Sequence, residues 1–446
     1  MFKKILIANR GEIAVRIIRA CREMGIKTVA VYSTGDKDAL HKELADEAVC
    51  IGKAPSKDSY LNVSNILNAT ILSGAEAIHP GYGFLSENAA FARMCEQCNI
   101  NFIGPTSEMI ENMGNKAKAK EIMMAAGVSI SPGSEGVLNS LDEAKVLGKQ
   151  VGYPVMIKAS GGGGGRGMRI AYNEIELDHA YHQAKSEAEM AFKDDRIYLE
   201  KFIEDPRHIE VQVLADKFGN AIHLGERDCS IQRKHQKMIE ESPALISDDV
   251  RAAIYKDAVI AAKAVNYFSA GTVEFLVDKY GKHYFIEMNT RIQVEHPVSE
   301  MVTGVDLIKE QIKIAAGERL EYTQDDIKIT GHAIECRINA EKPEEGFRSS
   351  PGLITRLFFP GGNGVRIDSC IYTGYFVPPY YDSMILKLIV HGKDRDEAIN
   401  KMQRALGEII IEGIDTNIGY QFKILGTKEY QLGKFNTSFI STVMEE

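Results

Sequence analysis

The strongest constraint on the fold is an alternation of apolar runs and an amphipathic run at the start of the chain. The first residues read KKILIAN, then GEIAVRIIRACREMG, then KTVAVYS. In the middle run, Ile13, Ile17 and Cys21 recur every four residues, which is the spacing of one helix face. Short apolar runs follow in DEAVCIG, AEAIHPGYG and INFIGP. Strands alternating with helices in this way predict a parallel sheet with helices on its faces.

The rest of the chain divides into further regions, as its 446 residues require. A small module begins near Met113, with helices predicted over 116–126 and 175–192 and with strands YPVMIKAS and IYLEKFI. Paired strands follow, HIEVQVLAD with AIHLGERD and GTVEFLVD with HYFIEMNTR. From about Gly331 the pattern predicts further strands, in HAIECRINAE, ITRLFFP, VRIDSCI and MILKLIVHG, and a helix near 394–409. The whole reads as an α/β protein of several domains.

Composition excludes several classes of protein. The net charge of −9 argues against broad nucleic-acid binding. No run of about 18 apolar residues is present, so we expect no membrane span. The first residues lack the long apolar stretch of a signal peptide. The seven cysteines are scattered and odd in number, which favours reduced thiols and a cytoplasmic location.

Five consecutive glycines lie in the segment IKASGGGGGRGMR, residues 157–169. A dinucleotide fingerprint is disfavoured, because no acidic residue ends a second strand about 20 residues on. A Walker A loop is disfavoured because no GK[ST] closes it. A linker is disfavoured because the run lies inside a strand–loop–strand unit. A hairpin whose backbone N–H groups approach nucleotide phosphates, with Lys158 adding a charge, stays open beside a structural loop.

Polar and apolar residues alternate in FIEMNTRIQVEHP, residues 285–297. In an extended chain the polar set would share one face, and that set consists of Glu287, Asn289, Arg291, Gln293 and Glu295. A half-exposed edge strand is the alternative. Glu274, in the probable neighbouring strand, and Glu287 could together hold Mg²⁺, with Asn289 completing its coordination.

Three other groups of residues carry polar or charged side chains, and two of them, the run ERDCSIQRKHQK and Arg337, suggest binding of anions or of developing negative charge. The run ERDCSIQRKHQK predicts either a local anion site or a solvated basic loop, and it carries Arg227, Gln232, Arg233, Lys234, His235 and Lys237. His208, Glu210 and Gln212 share one predicted strand face. Arg337, in ECRINAE, could stabilise an oxyanion or pair with a carboxylate. With Lys116 and Lys158, the pattern is typical of phosphoryl transfer from ATP to an acid.

The chain resembles the biotin carboxylases of the ATP-grasp superfamily. The resemblance is carried by ANRGEIAVRIIRA, HPGYGFLSEN, YPVMIKASGGGGGRGMR, RHIEVQVLAD, ERDCSIQRKHQK and EMNTRIQVEHPVSE. It implies a Rossmann-like N-terminal domain over residues 1–115, an ATP-grasp domain over 116–317 and a C-terminal mixed β/α domain over 330–446. It also implies a glycine-rich lid subdomain at about 131–203 within the ATP-grasp core.

The same resemblance implies the reaction and its sites. ATP phosphorylates bicarbonate to carboxyphosphate, whose CO₂ is attacked by biotin on a separate carrier protein. The expected ATP-binding residues are Lys116, Lys158, Gly163, Gly164, Gly165, Glu200, Lys201, Ile203, His208, Gln232 and His235. The expected metal ligands, for Mg²⁺ or Mn²⁺, are Glu274, Glu287 and Asn289.

The remaining implied roles concern bicarbonate and biotin. The expected bicarbonate pocket consists of Lys237, Arg291, Gln293, the backbone of Val294, and Glu295. Lys237, Arg291, Glu295 and Arg337 are expected to carry the chemistry, with Glu295 as the base that takes the bicarbonate proton. Tyr82 and Arg337 are expected to line the biotin site. One good hydrogen-bond donor at a developing oxyanion lowers a barrier by about 3–4 kcal/mol.

The resemblance also implies partners, which are a biotin carboxyl carrier protein, a carboxyltransferase subunit and a second copy of the chain. No MKM biotinylation motif occurs in the sequence, so we expect the carrier to be a separate polypeptide or a part of the protein that this sequence does not include. Acetyl-CoA carboxylase, an enzyme of fatty acid biosynthesis, is one such assembly, but the final acceptor stays open. Two alternatives are another ATP-grasp ligase joining a carboxylate to an amine, and a nucleotide-binding regulatory module without catalysis.

Overall fold

The fold is taken from a computed structural model that describes residues 1–134, 136–160 and 167–444. Its N-terminal part is a five-stranded sheet of order β3-β2-β1-β4-β5 in which every pairing is parallel, as the sequence predicts. The elements of this part are β1 Lys4–Ile7, α1 Gly11–Glu23, β2 Lys27–Ser33, α2 Leu40–Leu44, β3 Glu47–Gly52, α3 Val63–Ser73, β4 Ala77–His79, α4 Ala89–Gln97, β5 Asn101–Phe102 and α5 Ser107–Gly114.

The next part is the predicted small module around the glycine run. Its three-stranded antiparallel sheet has the order β7-β6-β8, and the two strands beside the glycines pair with each other. The elements are α6 Lys116–Ala125, α7 Leu141–Val151, β6 Val155–Ala159, β7 Met168–Ala171, α8 Glu174–Phe192 and β8 Ile197–Lys201. The flanking strands therefore form a hairpin, whereas Gly163, Gly164 and Gly165 lie outside the described residues.

The centre of the molecule is an eight-stranded sheet of order β13-β12-β9-β10-β11-β14-β21-β19, in which every pairing is antiparallel. The elements of its first half are β9 Arg207–Ala215, β10 Ala221–Arg233, β11 Gln236–Ser242, α9 Asp248–Ala264, β12 Ser269–Val277, β13 His283–Asn289, α10 His296–Thr303 and α11 Leu307–Ala315. Both predicted strand pairs, β9 with β10 and β12 with β13, are present.

The C-terminal part continues this sheet through the pairing of β11 with β14. Its elements are β14 His332–Asn339, β15 Glu341–Lys342, β16 Arg348–Ser349, β17 Gly352–Leu353, β18 Arg356–Phe358, β19 Val365–Ser369, β20 Phe376–Val377, β21 Met384–Gly392, α12 Arg395–Glu408, β22 Ile410–Glu412, α13 Ile418–Gly426 and α14 Lys428–Gln431. A single sheet thus extends from the predicted second domain into the predicted third domain. The boundaries of these domains remain a prediction.

The expectation that residues 285–297 run as one extended chain is wrong. Strand β13 ends at Asn289, and the chain then turns and enters α10 at His296. Pro297 near the first helical position favours this helix start, since its ring fixes a helical φ. Ile292 lies in this turn and is fully buried, and its burial anchors the turn. Gln293 and Glu295 still reach the same site as Glu274, because Gln293 donates to Glu274 and Lys237 contacts both acids.

Candidate functional site

The centre of the site is one ammonium group surrounded by three carboxylates. Lys237, on β11, places its Nζ 2.5 Å from Glu210, 2.6 Å from Glu295 and 3.2 Å from Glu274. These acids come from β9, from the turn before α10 and from β12. Burial lowers the pKa of the Lys237 ammonium, but the three carboxylates outweigh burial and raise it well above the usual range. Lys237 therefore stays charged.

Glu295 lies between two cations. One carboxylate oxygen accepts from Lys237, and the other accepts from Arg337 Nη2 at 2.9 Å. Burial alone would raise the pKa of this carboxyl, yet Lys237 and Arg337 hold it well below its usual range. Arg337 is itself fixed by Glu240, whose oxygen lies 2.6 Å from its Nε. The result is a buried carboxylate that stays ionised.

Glu274 is the most heavily hydrogen-bonded acid of the site. Its Oε1 accepts from Asn289 at 2.8 Å and from Gln293 at 2.7 Å, and its Oε2 contacts His208 Nε2 at 2.8 Å. Burial would raise the pKa of Glu274, but Lys237 and His208 hold it well below the usual range. Glu287 lies directly opposite on β13, 3.2 Å from the ammonium of Lys116. The predicted metal ligands are therefore neighbours.

The floor of the site is Arg227, which is fully buried. Its guanidinium donates to residues of several elements, namely Glu210 at 2.6 Å, Gln212 at 2.7 Å, Gln293 at 2.8 Å, Ser299 at 3.0 Å and Thr272 at 3.1 Å. A buried charge needs this many partners to offset its desolvation. Arg227 thus orients Glu210 beside Lys237 and is unavailable to an external anion.

The predicted nucleotide lysine of the small module meets a carboxylate across neighbouring strands. Lys158 on β6 places Nζ 2.5 Å from Glu200 on β8, and Lys120 of α6 approaches the same carboxylate at 3.2 Å. The two ammonium groups hold the pKa of Glu200 below its usual value, although burial alone would raise it. Lys201 instead donates to the carbonyls of Gly152 and Tyr153, and Ile203 is buried. The side chain of Lys201 therefore turns away from Lys158.

Arg291 and Val294 lie in the turn between β13 and α10, and each is held by the side chains of other residues. Arg291 Nε donates to Glu87 at 2.8 Å, and its Nη2 donates to Asn289 at 3.0 Å. The carbonyl of Val294 accepts from the buried ammonium of Lys387 at 2.7 Å. Both residues of the predicted bicarbonate pocket are thus fixed by partners distant in sequence.

Tyr82, the predicted biotin contact, lies in the N-terminal part. Its hydroxyl donates to Glu12 of α1, and its carbonyl accepts from the Asn9 side chain at 2.7 Å. Burial raises the pKa of the phenol well above its usual value, with the Glu12 charge adding to the effect. Tyr82 is therefore a neutral side chain in a fixed orientation.

The basic run 226–237 does not form a single anion site. Arg227 is buried under the acids, whereas Lys234 and His235 occupy the exposed turn between β10 and β11, and both have positive φ. The guanidinium of Arg233 lies 4.1 Å from the centre of the Phe347 ring, and Gln232 contacts the carbonyl of Cys229 at 3.5 Å. Strand alternation separates these residues, because neighbours in a strand point to opposite faces.

Several residues of the site have no assigned role in the sequence prediction, among them Glu210, Glu240, Lys120 and Glu87. Glu240 follows Met238 and Ile239 in a strand, and an acid inside a buried strand is a recognisable signal. Glu210 shares the predicted face of His208. Lys120 and Glu87 offer no comparable signal, because their partners lie 80 and 204 residues away.

Across the described part of the chain, no helix has both the length and the apolarity needed to cross a membrane.

Three family descriptions match the chain in succession. Residues 1–110 match "Biotin carboxylase, N-terminal domain", residues 115–323 match "Carbamoyl-phosphate synthase L chain, ATP binding domain", and residues 335–442 match "Biotin carboxylase C-terminal domain". Together these matches account for most of the sequence.

Individual relatives agree with these matches. Biotin carboxylase 1 of Bacillus subtilis is 58% identical over 444 residues, covering 99% of each chain. The biotin carboxylase of Campylobacter jejuni, solved as a β,γ-ATP complex, superposes with a TM-score of 0.95 at 52% identity and 99% coverage of both chains. The biotin carboxylase domain dimer of Hydrogenobacter thermophilus 2-oxoglutarate carboxylase, solved with MgADP, ADP and bicarbonate, gives a TM-score of 0.93 at 53% identity, covering 99% of this chain and 97% of that one. The chain therefore belongs to the biotin carboxylase family of ATP-grasp ligases.

Proposed function

We propose that the chain carboxylates biotin on a separate carrier protein, using ATP and bicarbonate and releasing ADP and phosphate. The observation that carries this proposal is Glu295, a buried and ionised carboxylate held between Lys237 and Arg337. A small acid such as bicarbonate must lose a proton before its oxygen attacks a phosphorus atom, and an adjacent carboxylate can accept it. The Hydrogenobacter relative was solved with bicarbonate and MgADP, which supports the same pair of ligands here.

The donor set fits a magnesium ion. Glu274 and Glu287 face each other on neighbouring strands, and Asn289 adjoins them. Mg²⁺ is commonly bound by one or two carboxylates together with substrate phosphates. When bound, Mg²⁺ or Mn²⁺ would neutralise charge on the phosphates.

The nucleotide site is the next part of the proposal. Lys116 and Lys158 would bind the phosphates of ATP, as would Gly163, Gly164 and Gly165. The adenine would lie near Glu200, Lys201 and Ile203, with His208, Gln232 and His235 around the nucleotide.

The bicarbonate step follows from the charges on this chain. Lys237, Arg291, Gln293 and the backbone of Val294 would hold the anion beside Glu295. In the structure Lys237 neutralises Glu295, so the carboxylate alone is a weak base. A bound bicarbonate would compete for that ammonium and add a negative charge nearby, and both effects raise the pKa of Glu295. Substrate binding thus strengthens the base that takes its proton.

The second step transfers CO₂ to biotin: the ureido nitrogen forms the new N–C bond, and its proton passes to the phosphate released together with CO₂. The ureido N–H is a very weak acid, so a cation at the developing enolate oxygen lowers the barrier. Arg337 would supply this charge, and Glu240 keeps its Nε occupied so that the guanidinium keeps one orientation. Tyr82, fixed by Glu12 and Asn9, would line the biotin site.

The wider assembly is part of the same proposal. We expect a biotin carboxyl carrier protein, a carboxyltransferase subunit, a homodimer and a cytoplasmic location. The Hydrogenobacter relative was solved as a dimer, which supports the second copy. The acceptor stays open between acetyl-CoA, as in fatty acid biosynthesis, another acyl-CoA and a keto acid.

The test is an ATPase assay in buffer stripped of bicarbonate and then restored. We expect ATP hydrolysis to depend on bicarbonate and to rise further with free biotin, whereas acetate at equal concentration should not replace bicarbonate. A ligase that joins another carboxylate to an amine would ignore bicarbonate, and a regulatory module would hydrolyse nothing. Hydrolysis indifferent to bicarbonate would contradict the proposal.

A further inference from the structure

We propose that Glu87 is a positioning residue that holds Arg291 in place for bicarbonate. This inference rests on the proposed function, because Arg291 is assigned to the bicarbonate pocket. Glu87 belongs to the N-terminal part of the chain, 204 residues from Arg291. It therefore controls a pocket built by another part of the molecule.

The carboxylate of Glu87 holds two successive residues of the turn after β13. Its Oε2 accepts from Arg291 Nε at 2.8 Å, and its Oε1 is 3.3 Å from the backbone nitrogen of Thr290, which donates to it. One oxygen thus orients the guanidinium, while the other fixes the backbone that carries it. Two contacts from one carboxylate restrict both the position and the rotation of the arginine.

The guanidinium keeps free donors for a ligand. Beyond Glu87, Nη2 donates to Asn289 at 3.0 Å and Nη1 donates to the carbonyl of Ile292 at 3.2 Å. Arginine has five N–H donors. Among the described residues these three bonds leave one N–H on each terminal nitrogen. A planar oxyanion is well suited to such paired donors, provided that the guanidinium does not rotate.

Glu87 itself lies on a fixed loop. The Asn9 side chain donates to the carbonyls of Pro80 and Tyr82, both at 2.7 Å. The backbone of Ser86 donates to Gly83, and Asn88 caps α4 through its side chain. The loop is therefore held on both sides of Glu87, and it also carries Tyr82.

The close approach of this loop to Asn9 requires glycine at position 81. The φ of Gly81 is +61°, and a Cβ there would lie 2.9 Å from the Asn9 amide nitrogen. A larger residue would displace the amide that holds the loop. The sequence thus preserves the conformation that presents Glu87.

Exposure indicates that the Glu87–Arg291 contact serves positioning more than stability. The Glu87 side chain is 40% exposed and that of Arg291 is 21% exposed, so the pair borders solvent from which a ligand can enter. Ion pairs this exposed contribute little to folding. Opposite charges nonetheless orient each other at 2.8 Å, which is the distance of a charge-assisted hydrogen bond.

The test measures bicarbonate-dependent ATPase kinetics of Glu87→Ala in the full-length protein. We expect the KM for bicarbonate to rise about tenfold, which is the loss of one hydrogen bond to a charged group. The KM for ATP and the thermal unfolding temperature should stay close to those of the unaltered protein. Glu87→Gln retains one acceptor oxygen and should lie between the two. The matched control is Glu111→Ala, which breaks an exposed pair with Arg93 outside the site.

A double variant separates positioning from a general structural effect. If Glu87 acts through Arg291, adding Glu87→Ala to Arg291→Ala should change the bicarbonate KM little further. An additive loss, or a KM for ATP raised as much as that for bicarbonate, would overturn the inference. Failure of the proposed function would appear differently, as an unaltered protein whose ATPase ignores bicarbonate. In that case, thermal unfolding with and without bicarbonate still tests the contact. Bicarbonate should raise the unfolding temperature of the unaltered protein more than that of Glu87→Ala, and equal shifts in the two proteins would reject the inference.

Discussion

At the scale of single residues, the proposed chemistry depends on the charge of Glu295. Replacing it by glutamine keeps the size and one acceptor oxygen but removes the ability to take a proton. Because general-base catalysis contributes about 10²–10⁴-fold, we expect Glu295→Gln to lower kcat of the bicarbonate-dependent ATPase by about 100-fold or more. Steady-state kinetics measure this, with the exposed Glu318→Gln as control. Unchanged kcat in Glu295→Gln would remove Glu295 from the role of base.

The same scale shows how far the sequence identifies a site. Lys237, Glu274 and Glu295 are recognisable because a motif or strand alternation marks them, and the structure brings them together. Glu87 carries no such mark. Its role depends on a contact across 204 residues, which no local pattern encodes. The sequence thus points to the groups proposed to bind substrate more readily than to the groups that hold them in place.

At the scale of elements, the register between two strands places two acids opposite each other. The alternation of residues within each strand cannot predict that pairing. Glu335 and Arg337 share one face of β14, because residues alternate between the faces of a strand, and the apolar residues Ile334, Cys336 and Ile338 are buried in the core on the other. The register then places Glu335 opposite Glu240 of β11. Among the described residues neither oxygen of Glu335 has a hydrogen-bond partner. Pairing of β11 with β14 spans a long stretch of chain, so sequence periodicity could not supply it.

This carboxyl pair predicts a pH dependence of stability. Burial raises the pKa of Glu335 well above its usual value, with Glu240 adding to the effect. A raised folded-state pKa means that the folded protein binds more protons, so Glu335 lowers stability as pH rises above about 4.5. We expect Glu335→Gln to unfold at a higher temperature than the unaltered protein, by a margin that grows from pH 5 to pH 8. Thermal scans measure this, and the exposed Glu345→Gln should show no such trend. A constant margin would contradict the assignment.

At the scale of the whole molecule, a buried and a half-buried arginine connect the three predicted domains. Arg16 of α1 bonds to Glu300 of α10, and Arg366 of β19 bonds to the same carboxylate. Helix α10 follows directly after Glu295, so these bonds fix the orientation of the helix that begins beside Glu295. The eight-stranded sheet, continuous from β13 to β19, provides the common frame. The sequence predicts each α/β region separately. The contacts between the regions depend on ion pairs between residues that are distant in sequence.

The clearest such charge is Lys387, whose side chain is fully buried on β21. Its ammonium lies 2.7 Å from the carbonyl of Val294, 3.3 Å from Glu12 and 4.0 Å from Asp368. Removing one partner from a buried ion pair costs about 3–5 kcal/mol, because the other charges stay desolvated. We therefore expect Lys387→Met to lower the unfolding temperature by several degrees.

The matched control for Lys387→Met is Lys393→Met, which removes the same charge from an exposed side chain near the end of the same strand. Differential scanning calorimetry compares the two. Since Val294 belongs to the proposed bicarbonate pocket, Lys387→Met should also raise the KM for bicarbonate, whereas Lys393→Met should not. Equal unfolding temperatures would show that Glu12 and Asp368 do not need the ammonium. An unchanged KM with a lowered unfolding temperature would limit Lys387 to stability and separate the packing of the domains from the shape of the pocket.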